Sequence, residues 1–160
     1  MPMIDLTLPE GRISKAKRDA LVDTLVTTLL RMEGAPPESE RARAIAWAFV
    51  DEKPAPDVYV GGKPSPYPVY RAQVTVPAGA LDAERKNELV KLFTAAILNA
   101  ADEDESEQSA ARVWCLIREL PDGNWGALGR IFTFKDIARY IRSGTIAEKQ
   151  KELKATTTST

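Results

Sequence analysis

Hydrophobic and polar residues alternate in two short stretches of the chain. Residues 4–8 have the order Ile-Asp-Leu-Thr-Leu, and residues 72–76 have the order Ala-Gln-Val-Thr-Val. A period of two places the apolar side chains on one face of an extended segment and the polar side chains on the other. Both stretches are therefore predicted to be strands that bury one face.

An amphipathic helix is predicted after each of these strands. Apolar residues recur there at intervals of three or four, which gathers them on one face of a helix. Ser14 and Asp82 precede the two helices and are candidate N-caps. The apolar stripes consist of Leu21, Leu25, Leu29 and Met32 in the first helix and of Leu89, Phe93, Ile97 and Ala100 in the second.

A second strand is predicted after each helix, at residues 44–50 and 111–118, and glycine-rich turns follow at residues 61–62 and 126–129. Two strands joined by a helix are most simply parallel, with a right-handed crossover between them. Two such units side by side predict an α/β protein of the two-layer α+β type. Its four-stranded sheet would carry both helices on one face.

The strand at residues 111–117 is apolar on both of its faces. Valine, cysteine and isoleucine alternate there with tryptophan and leucine. The helices can cover only one face of the sheet, so the other face needs a different cover. A partner subunit is the economical one, and the sequence therefore predicts a homo-oligomer.

The two units repeat each other in sequence. Pro-Glu-Gly-Arg-Ile at residues 9–13 is matched by Pro-Ala-Gly-Ala-Leu at residues 77–81, and the matches continue through the helices to Trp47 and Trp114. An ordered series of matches across two units indicates a duplication. We predict a first unit at residues 2–63, a proline-rich linker at 64–68, a degenerate second unit at 69–134 and a helical tail at 135–160, loose at its threonine-rich end.

Composition narrows the possible chemistry. The chain of 160 residues has a net charge of −1, no histidine and a single cysteine. This excludes serine–histidine and cysteine–histidine catalysis, histidine-bound metals and a disulfide framework. There is no basic surface for nucleic acid, and no apolar run is long enough to span a bilayer. We expect a cytoplasmic protein without metal or other cofactor that binds neither nucleic acid nor membrane.

The beginning of the chain resembles 4-oxalocrotonate tautomerase (4-OT) and its superfamily, which includes macrophage migration inhibitory factor. The resemblance lies in Pro2 at the start of a strand, in Glu10-Gly11-Arg12 before an amphipathic helix, and in the glycine-rich turn at residues 59–62. The turn at residues 124–129 resembles the hairpin of the same family. The resemblance covers residues 2–130 as two fused copies and implies a long member of the superfamily that forms a homotrimer.

The resemblance implies chemistry at Pro2, which presents a secondary amine once Met1 has been removed. An α-amine titrates near about pH 8, and burial in an apolar pocket lowers its pKa. Such an amine suits general-base catalysis that moves a proton between the oxygen and carbon ends of an enol. The implied substrate is a small 2-oxo acid, whose carboxylate would pair with Arg12, the match to the family's substrate-binding arginine.

The second unit departs from the family pattern. Tyr70 stands at the position of Pro2, and Ala80 at the position of Arg12, so one active site per chain is predicted. The family's second arginine falls on tryptophans, and Arg71 or Arg130 is the candidate replacement. Aromatic side chains are expected to contact substrate or to form the apolar wall beside the amine. These candidates are Trp47, Tyr70, Trp114 and Trp125.

Three alternatives to a tautomerase remain open. A protonated Pro2 would act as the acid in hydration, dehalogenation or decarboxylation of a small unsaturated acid. The family's dehalogenase and decarboxylase carry paired arginines where residues 77–81 have none, and the dehalogenase also uses a histidine. The element order also suits a ferredoxin-like module that binds RNA or another ligand without chemistry. The last alternative is a purely structural oligomer, in which Pro2→Ala would change nothing chemical.

Overall fold

The structure is a computed structural model that describes residues 2–144, in two compact parts, 2–121 and 122–144. The rest of the predicted tail, residues 145–160, lies outside the described residues. The first part contains β1 (Met3–Pro9), α1 (Lys15–Met32), α2 (Glu40–Ala44), β2 (Trp47–Lys53), a 3₁₀ turn (Ala55–Asp57), β3 (Tyr59–Val60), β4 (Lys63–Pro64), β5 (Tyr70–Pro77), α3 (Ala83–Ala100), α4 (Glu107–Ala110) and β6 (Val113–Leu120). The second contains β7 (Trp125–Ala127), β8 (Arg130–Phe132) and α5 (Phe134–Ser143).

The four long strands of the first part form one sheet in the order β2-β1-β5-β6. β1 pairs with β2 in parallel, β5 pairs with β6 in parallel, and β1 and β5 meet antiparallel at the centre. Each parallel pair is connected through a long helix, α1 or α3, and the two helices contact each other. The predicted two-layer sheet of two β-α-β units is therefore confirmed.

The core lies between the inner face of this sheet and the two helices. The inward side chains of the central strands are completely or almost completely buried. Helices α1 and α3 bury their predicted apolar stripes, except that Met32 is only half-buried. Burying one such aliphatic side chain contributes about 2 kcal/mol to the free energy of unfolding. The inward residues of the two central strands are Ile4, Leu6, Leu8, Ala72, Val74 and Val76.

The outer face of the sheet is rich in exposed aromatic and aliphatic side chains. Trp47 is 62% exposed, Phe49 52%, Trp114 69% and Leu116 43%. The rings of Trp47 and Phe49 pack edge to face, with their centroids 6.3 Å apart. The predicted apolar outer face of the sheet is therefore present, and no element of residues 2–121 covers these four side chains.

Both long helices begin where the sequence predicts. The Ser14 hydroxyl accepts a hydrogen bond from the N–H of Lys17, and the Asp82 carboxylate accepts one from the N–H of Arg85. The second strands start later than expected, at Trp47 instead of residue 44 and at Val113 instead of residue 111. The reason is that short helices with serine N-caps, α2 and α4, precede these strands, and the residues that close the helices, up to Ala46 and Arg112, are not yet extended.

Glycines in the left-handed region form the predicted turns. Gly61 (φ 60°) and Gly62 (φ 79°) connect β3 to β4, as expected for a tight hairpin whose two central residues need positive φ. In the second part, Leu128 and Gly129 connect β7 to β8 in the same way. No helix among residues 2–144 has the length and apolar character needed to cross a membrane.

Candidate functional site

The antiparallel pairing of β1 with β5 gives the sheet two comparable ends. At one end β1 and β2 begin and β5 and β6 finish; we call it the proline end, because Pro2 lies there. At the other end β5 and β6 begin and β1 and β2 finish; we call it the tyrosine end, because Tyr70 begins β5. Each end therefore combines the first residue of one repeat with the strand-to-helix loop of the other.

Pro2 is buried at the proline end. Its carbonyl oxygen accepts a hydrogen bond of 3.1 Å from the N–H of Trp47. Met3 pairs with Thr75 on one side and with Trp47 on the other, so Pro2 lies one residue beyond, next to Val76 and Ala46. Val76 is fully buried. An amine in these apolar surroundings loses hydration, which lowers its pKa.

Pro2 shares its face of the sheet with the inward residues of β1, because it has the same parity as Ile4. The helix layer ends here as well, since α1 runs antiparallel to β1 and finishes at Met32. Glu33 is the C-cap of α1, and its Oε1 is buried with no hydrogen-bond partner among the described residues. Desolvation raises the pKa of Glu33 to about 7, while the positive charge of the amino terminus of the unprocessed chain acts in the opposite direction.

The tyrosine end holds a fully partnered polar cluster. The Glu103 carboxylate, only 11% exposed, accepts hydrogen bonds from Arg12 at 2.7 Å and from Arg112 at 3.1 Å. The Tyr70 hydroxyl lies 3.4 Å from the same carboxylate. Arg112 also donates to the Ser109 hydroxyl at 2.8 Å. One carboxylate thus binds both guanidinium groups.

The contacts in this cluster favour the charged form of Arg12. Hydrogen bonds to Tyr70 and then to Glu103 raise the pKa of Arg12. Burial raises the pKa of the Tyr70 hydroxyl, so this phenol stays protonated at neutral pH. The Cys115 thiol is held protonated too, because burial raises its pKa to about 11.

Pro2 and Arg12 lie at opposite ends of β1. Seven residues of extended strand separate them, and the strand spans about 20 Å at about 3.3 Å per residue. A small 2-oxo acid cannot contact both residues within one chain. Joint action of Pro2 and Arg12, as the resemblance implies, therefore requires a second copy of the chain.

The remaining predicted site residues of the first part fall at both ends. Trp47 lies at the proline end, and its indole N–H donates to the carbonyl of Ala44 at 3.3 Å. Arg71 and Trp114 lie side by side near the tyrosine end, on the outer face. Arg71 donates to the Thr7 hydroxyl at 3.1 Å and is otherwise exposed.

An open groove adjoins the tyrosine-end cluster. Its volume is about 490 Å³, and Tyr67, Val69, Arg112 and Trp114 line part of it. The guanidinium of Arg112 lies over the ring of Tyr67, 5.9 Å from its centroid. Because Glu103 already binds this guanidinium, a carboxylate ligand would have to compete with an internal one.

Trp125 and Arg130 belong to the β7–β8 hairpin of the second part. Trp125 pairs with Phe132 in the hairpin register, and the guanidinium of Arg130 lies over the Phe132 ring at 4.9 Å. Helix α5 follows with a capping box between Thr133 and Asp136. The roles given to Trp125 and Arg130 at the active site stay predictions.

Sequence reasoning missed Glu33, Glu103 and Arg112. Residues 102–107 are rich in acidic side chains, a composition that favours a solvated loop, yet Glu103 binds two arginines. Glu33 ends an apolar helical stripe, and a lone acidic residue at the C-terminus of a helix is unfavourable with the helix dipole. That mismatch was a detectable signal. Within residues 2–144, no three acidic or sulfur side chains are grouped to hold a metal ion.

The sequence matches no protein-family model and no curated protein. Solved structures do match. A member of the cis-3-chloroacrylic acid dehalogenase family superposes with a TM-score of 0.70 at 17% identity, covering 94% of this chain and 96% of that one.

Two further structures show the same architecture. Pt0534, solved after inactivation by 2-oxo-3-pentynoate, has a TM-score of 0.67 at 19% identity and covers 86% of this chain and 99% of its own. A fused 4-OT symmetric trimer has a TM-score of 0.65 at 21% identity and covers 82% of this chain and 94% of its own. Likeness at these identities shows the fold.

Proposed function

We propose that this chain, which has the fold of the tautomerase superfamily in its two-repeat form, is a tautomerase that uses the amine of Pro2 as a general base. The substrate would be the enol form of a small 2-oxo acid, and the product its keto form. The observation that carries the proposal is the burial of Pro2 at the start of β1, in apolar surroundings that favour a neutral amine.

The proposed reaction moves one proton. The Pro2 amine takes the proton from the enol hydroxyl and returns it to the carbon end of the same system, so the amine is regenerated. No redox partner is needed. The chemistry requires removal of Met1, because a retained methionine would turn the Pro2 nitrogen into an amide with no basicity.

The substrate carboxylate needs a cation that the proline end does not receive from the strand-to-helix loop of residues 77–81. We propose that a second copy supplies it. In a homotrimer that covers the outer face, Arg12 or Arg71 of one chain would approach the Pro2 of another. The exposed aromatic side chains of that face support such an assembly, and the fused 4-OT structure is itself a trimer.

The test is ketonisation of an aryl or dienyl enolpyruvate, followed by ultraviolet absorbance after intact mass has verified loss of Met1. Wild type should turn over the substrate, and Pro2→Ala should lose at least about 100-fold in kcat/KM, as expected for a lost general base. Pro66→Ala, an exposed proline of the linker, is the matched control. Slow turnover shared by wild type and Pro2→Ala would refute the assignment.

A chemical probe tests the nucleophilicity of the same amine. The compound 2-oxo-3-pentynoate inactivates Pt0534, and we expect it to add covalently to the Pro2 amine here. One adduct per chain on the peptide that begins at Pro2, absent after Pro2→Ala, would support the proposal. Labelling at Cys115 instead is not expected, since burial keeps that thiol protonated.

A second candidate function is hydration, dehalogenation or decarboxylation of a small unsaturated acid by a protonated Pro2. Glu33 favours it, because a carboxylate at the proline end stabilises a positive amine. The likeness to a dehalogenase-family member shows the fold only. Acetylenic and halogenated acids, assayed by NMR for loss of halide or gain of water, distinguish this candidate from a tautomerase.

A further inference from the structure

We infer that Glu33 is the counter-ion of the Pro2 amine and sets the pH at which this amine becomes a base. Glu33 would act as a positioning residue through Pro2, without contacting the substrate. The inference rests on the proposed function, because the amine it concerns is created by removal of Met1.

The fold brings Glu33 to the proline end. Helix α1 has 18 residues and spans about 27 Å, which returns the chain from the tyrosine end to the start of β1. Glu33 closes the helix, with its N–H donating to the carbonyls of Arg31 and Leu29. Glu33 follows the helix that covers the inner face of β1, and Pro2 shares the parity of the inward residues of that strand.

The carboxylate is poorly compensated by its own surroundings. Its Oε1 is buried without a hydrogen-bond partner among residues 2–144, and the C-terminus of α1 presents partial negative charge. Burying a carboxylate in this way is costly unless a positive group pairs with it. The amino terminus is such a group: the positive charge that the chain carries there before processing lowers the pKa of Glu33, and removal of Met1 transfers this charge to the Pro2 amine.

Three charged side chains on the neighbouring elements have other partners or face solvent. Arg43 of α2 pairs with Asp23, and Glu119 at the end of β6 pairs with Lys86 at 3.1 Å. Arg31, in the last turn of α1, is exposed.

The tyrosine end provides an internal precedent. There, the carboxylate of Glu103 lies two residues beyond the C-cap of α3 and contacts Tyr70, the first residue of β5. By the duplication, Pro2 occupies the position of Tyr70. Glu33 is the C-cap of α1 and so matches Ala101, the C-cap of α3, two residues before Glu103. The tyrosine end thus shows that a carboxylate near the end of a long helix can contact the first residue of a strand, although Glu33 stands two residues nearer to its helix.

An ion pair between Pro2 and Glu33 opposes the effect of the apolar pocket. Desolvation lowers the pKa of the amine, whereas a neighbouring carboxylate raises it by about 1 to 3 units. The two groups then titrate as a coupled pair that retains one proton at neutral pH. Base catalysis would consequently increase only as the pH rises above neutrality.

The experiment is an NMR titration of protein labelled with ¹⁵N-proline, with Met1 loss verified by mass, in wild type, Glu33→Gln and Glu38→Gln. Glu38 is an exposed carboxylate in the same loop and is the control. We expect the Pro2 midpoint to fall by about one unit or more in Glu33→Gln and to stay at the wild-type value in Glu38→Gln. Equal midpoints in wild type and Glu33→Gln would overturn the inference.

A measurement on wild type alone covers the case in which Glu33→Gln does not fold. The ¹³C resonance of the Glu33 carboxyl should show a second inflection at the Pro2 midpoint, and its absence would contradict the pairing. Neither titration needs substrate. If the Pro2 midpoint falls in Glu33→Gln but wild type does not ketonise the substrate, the counter-ion role of Glu33 is supported and the tautomerase activity is refuted. If wild type ketonises the substrate but the midpoint does not fall, the activity is supported and the counter-ion role is refuted.

Discussion

The two ends of the central sheet have the same layout, and under the proposed function they carry complementary halves of one active site. The proline end has kept the amine-bearing residue Pro2 and has Ala80 in the loop that faces it. The tyrosine end has kept Arg12 and has Tyr70 where the amine would be. Antiparallel pairing of β1 and β5 produces this division, because it sets the start of each repeat beside the loop of the other.

The two ends differ in how their charged side chains are compensated. At the tyrosine end the Glu103 carboxylate pairs with two guanidinium groups and accepts a hydrogen bond from the Tyr70 hydroxyl. The charged groups of this cluster therefore have partners within the chain. At the proline end Oε1 of Glu33 is unpartnered among the described residues. A fully paired cluster is typical of a structural role, whereas a buried, unpaired carboxyl with a pKa of about 7 is typical of a functional site.

The largest effect should come from blocking the amine itself. A lysine inserted between Met1 and Pro2 would hinder methionine removal and convert the proline nitrogen into an amide. We expect kcat/KM for ketonisation to fall by at least about 100-fold while the unfolding midpoint in urea stays unchanged. A lysine added at the C-terminus is the charge-matched control. Activity that survives the insertion, in protein of verified mass, would place the chemistry away from Pro2.

The next largest effect concerns the outer face that the two ends share. Phe49→Lys combined with Leu116→Lys places two charges in the exposed apolar surface. We expect the proposed trimer to dissociate to monomers in sedimentation experiments, because burying an unpaired ammonium in its interface is strongly unfavourable. Ketonisation should decline with the trimer if a second copy supplies the arginine.

The control for this variant is Lys91→Glu on α3, because the side chain of Lys91 is 78% exposed. It should leave the assembly intact. Wild-type protein that sediments as a monomer would contradict the proposed trimer, and a monomeric double variant with full activity would show that the proline end needs no partner.

The repeat and the strand–helix–strand order could be predicted from the sequence, because the alternation of strands and the apolar stripes of helices are local patterns. It also located the caps at Ser14 and Asp82. It did not reveal the separation of Pro2 from Arg12. That separation depends on the antiparallel junction between β1 and β5, a long-range pairing that periodicity does not encode. The sequence therefore assigned Pro2 and Arg12 to one active site without indicating that they lie at opposite ends of β1.

The acidic residues illustrate a second limit. Glu103 lies in a stretch of acidic residues that composition alone marks as solvated, and its neighbour Asp102 is indeed 77% exposed. Only the tertiary structure shows that Arg12 and Arg112 converge on one of these carboxylates. Pairs between residues distant in sequence decide which charges of a polar stretch are buried.

Substitutions in the polar cluster at the tyrosine end should change stability more than activity. Glu103→Gln would leave Arg12 and Arg112 close together without their shared carboxylate, and we expect a loss of about 2 kcal/mol in the free energy of unfolding. Asp102→Asn, which removes the exposed partner of Lys17, should cost about 0.5 kcal/mol or less. Urea denaturation measures both. Equal losses would show that the buried cluster contributes no more than a surface ion pair.

The smallest effect should come from restoring the missing cation at the proline end. Ala80→Arg places a guanidinium in the loop that corresponds to that of Arg12, within one chain. A charge-assisted pair with the substrate carboxylate at a partly exposed position is worth about 1 kcal/mol, which corresponds to a fall in KM of about fivefold.

Ala80→Gln, which offers a hydrogen bond without charge, separates the electrostatic contribution from the polar one and should change KM little. The introduced guanidinium would also lie at the same end as Glu33, so it would compete with Pro2 for that carboxylate. The Pro2 midpoint should then fall along with KM, as we also expect for Glu33→Gln. A fall in KM with an unchanged midpoint would mean that the guanidinium binds substrate without reaching Glu33. An unchanged KM would mean that the loop of residues 77–81 does not face the substrate, and that the two ends differ by more than the loss of one arginine.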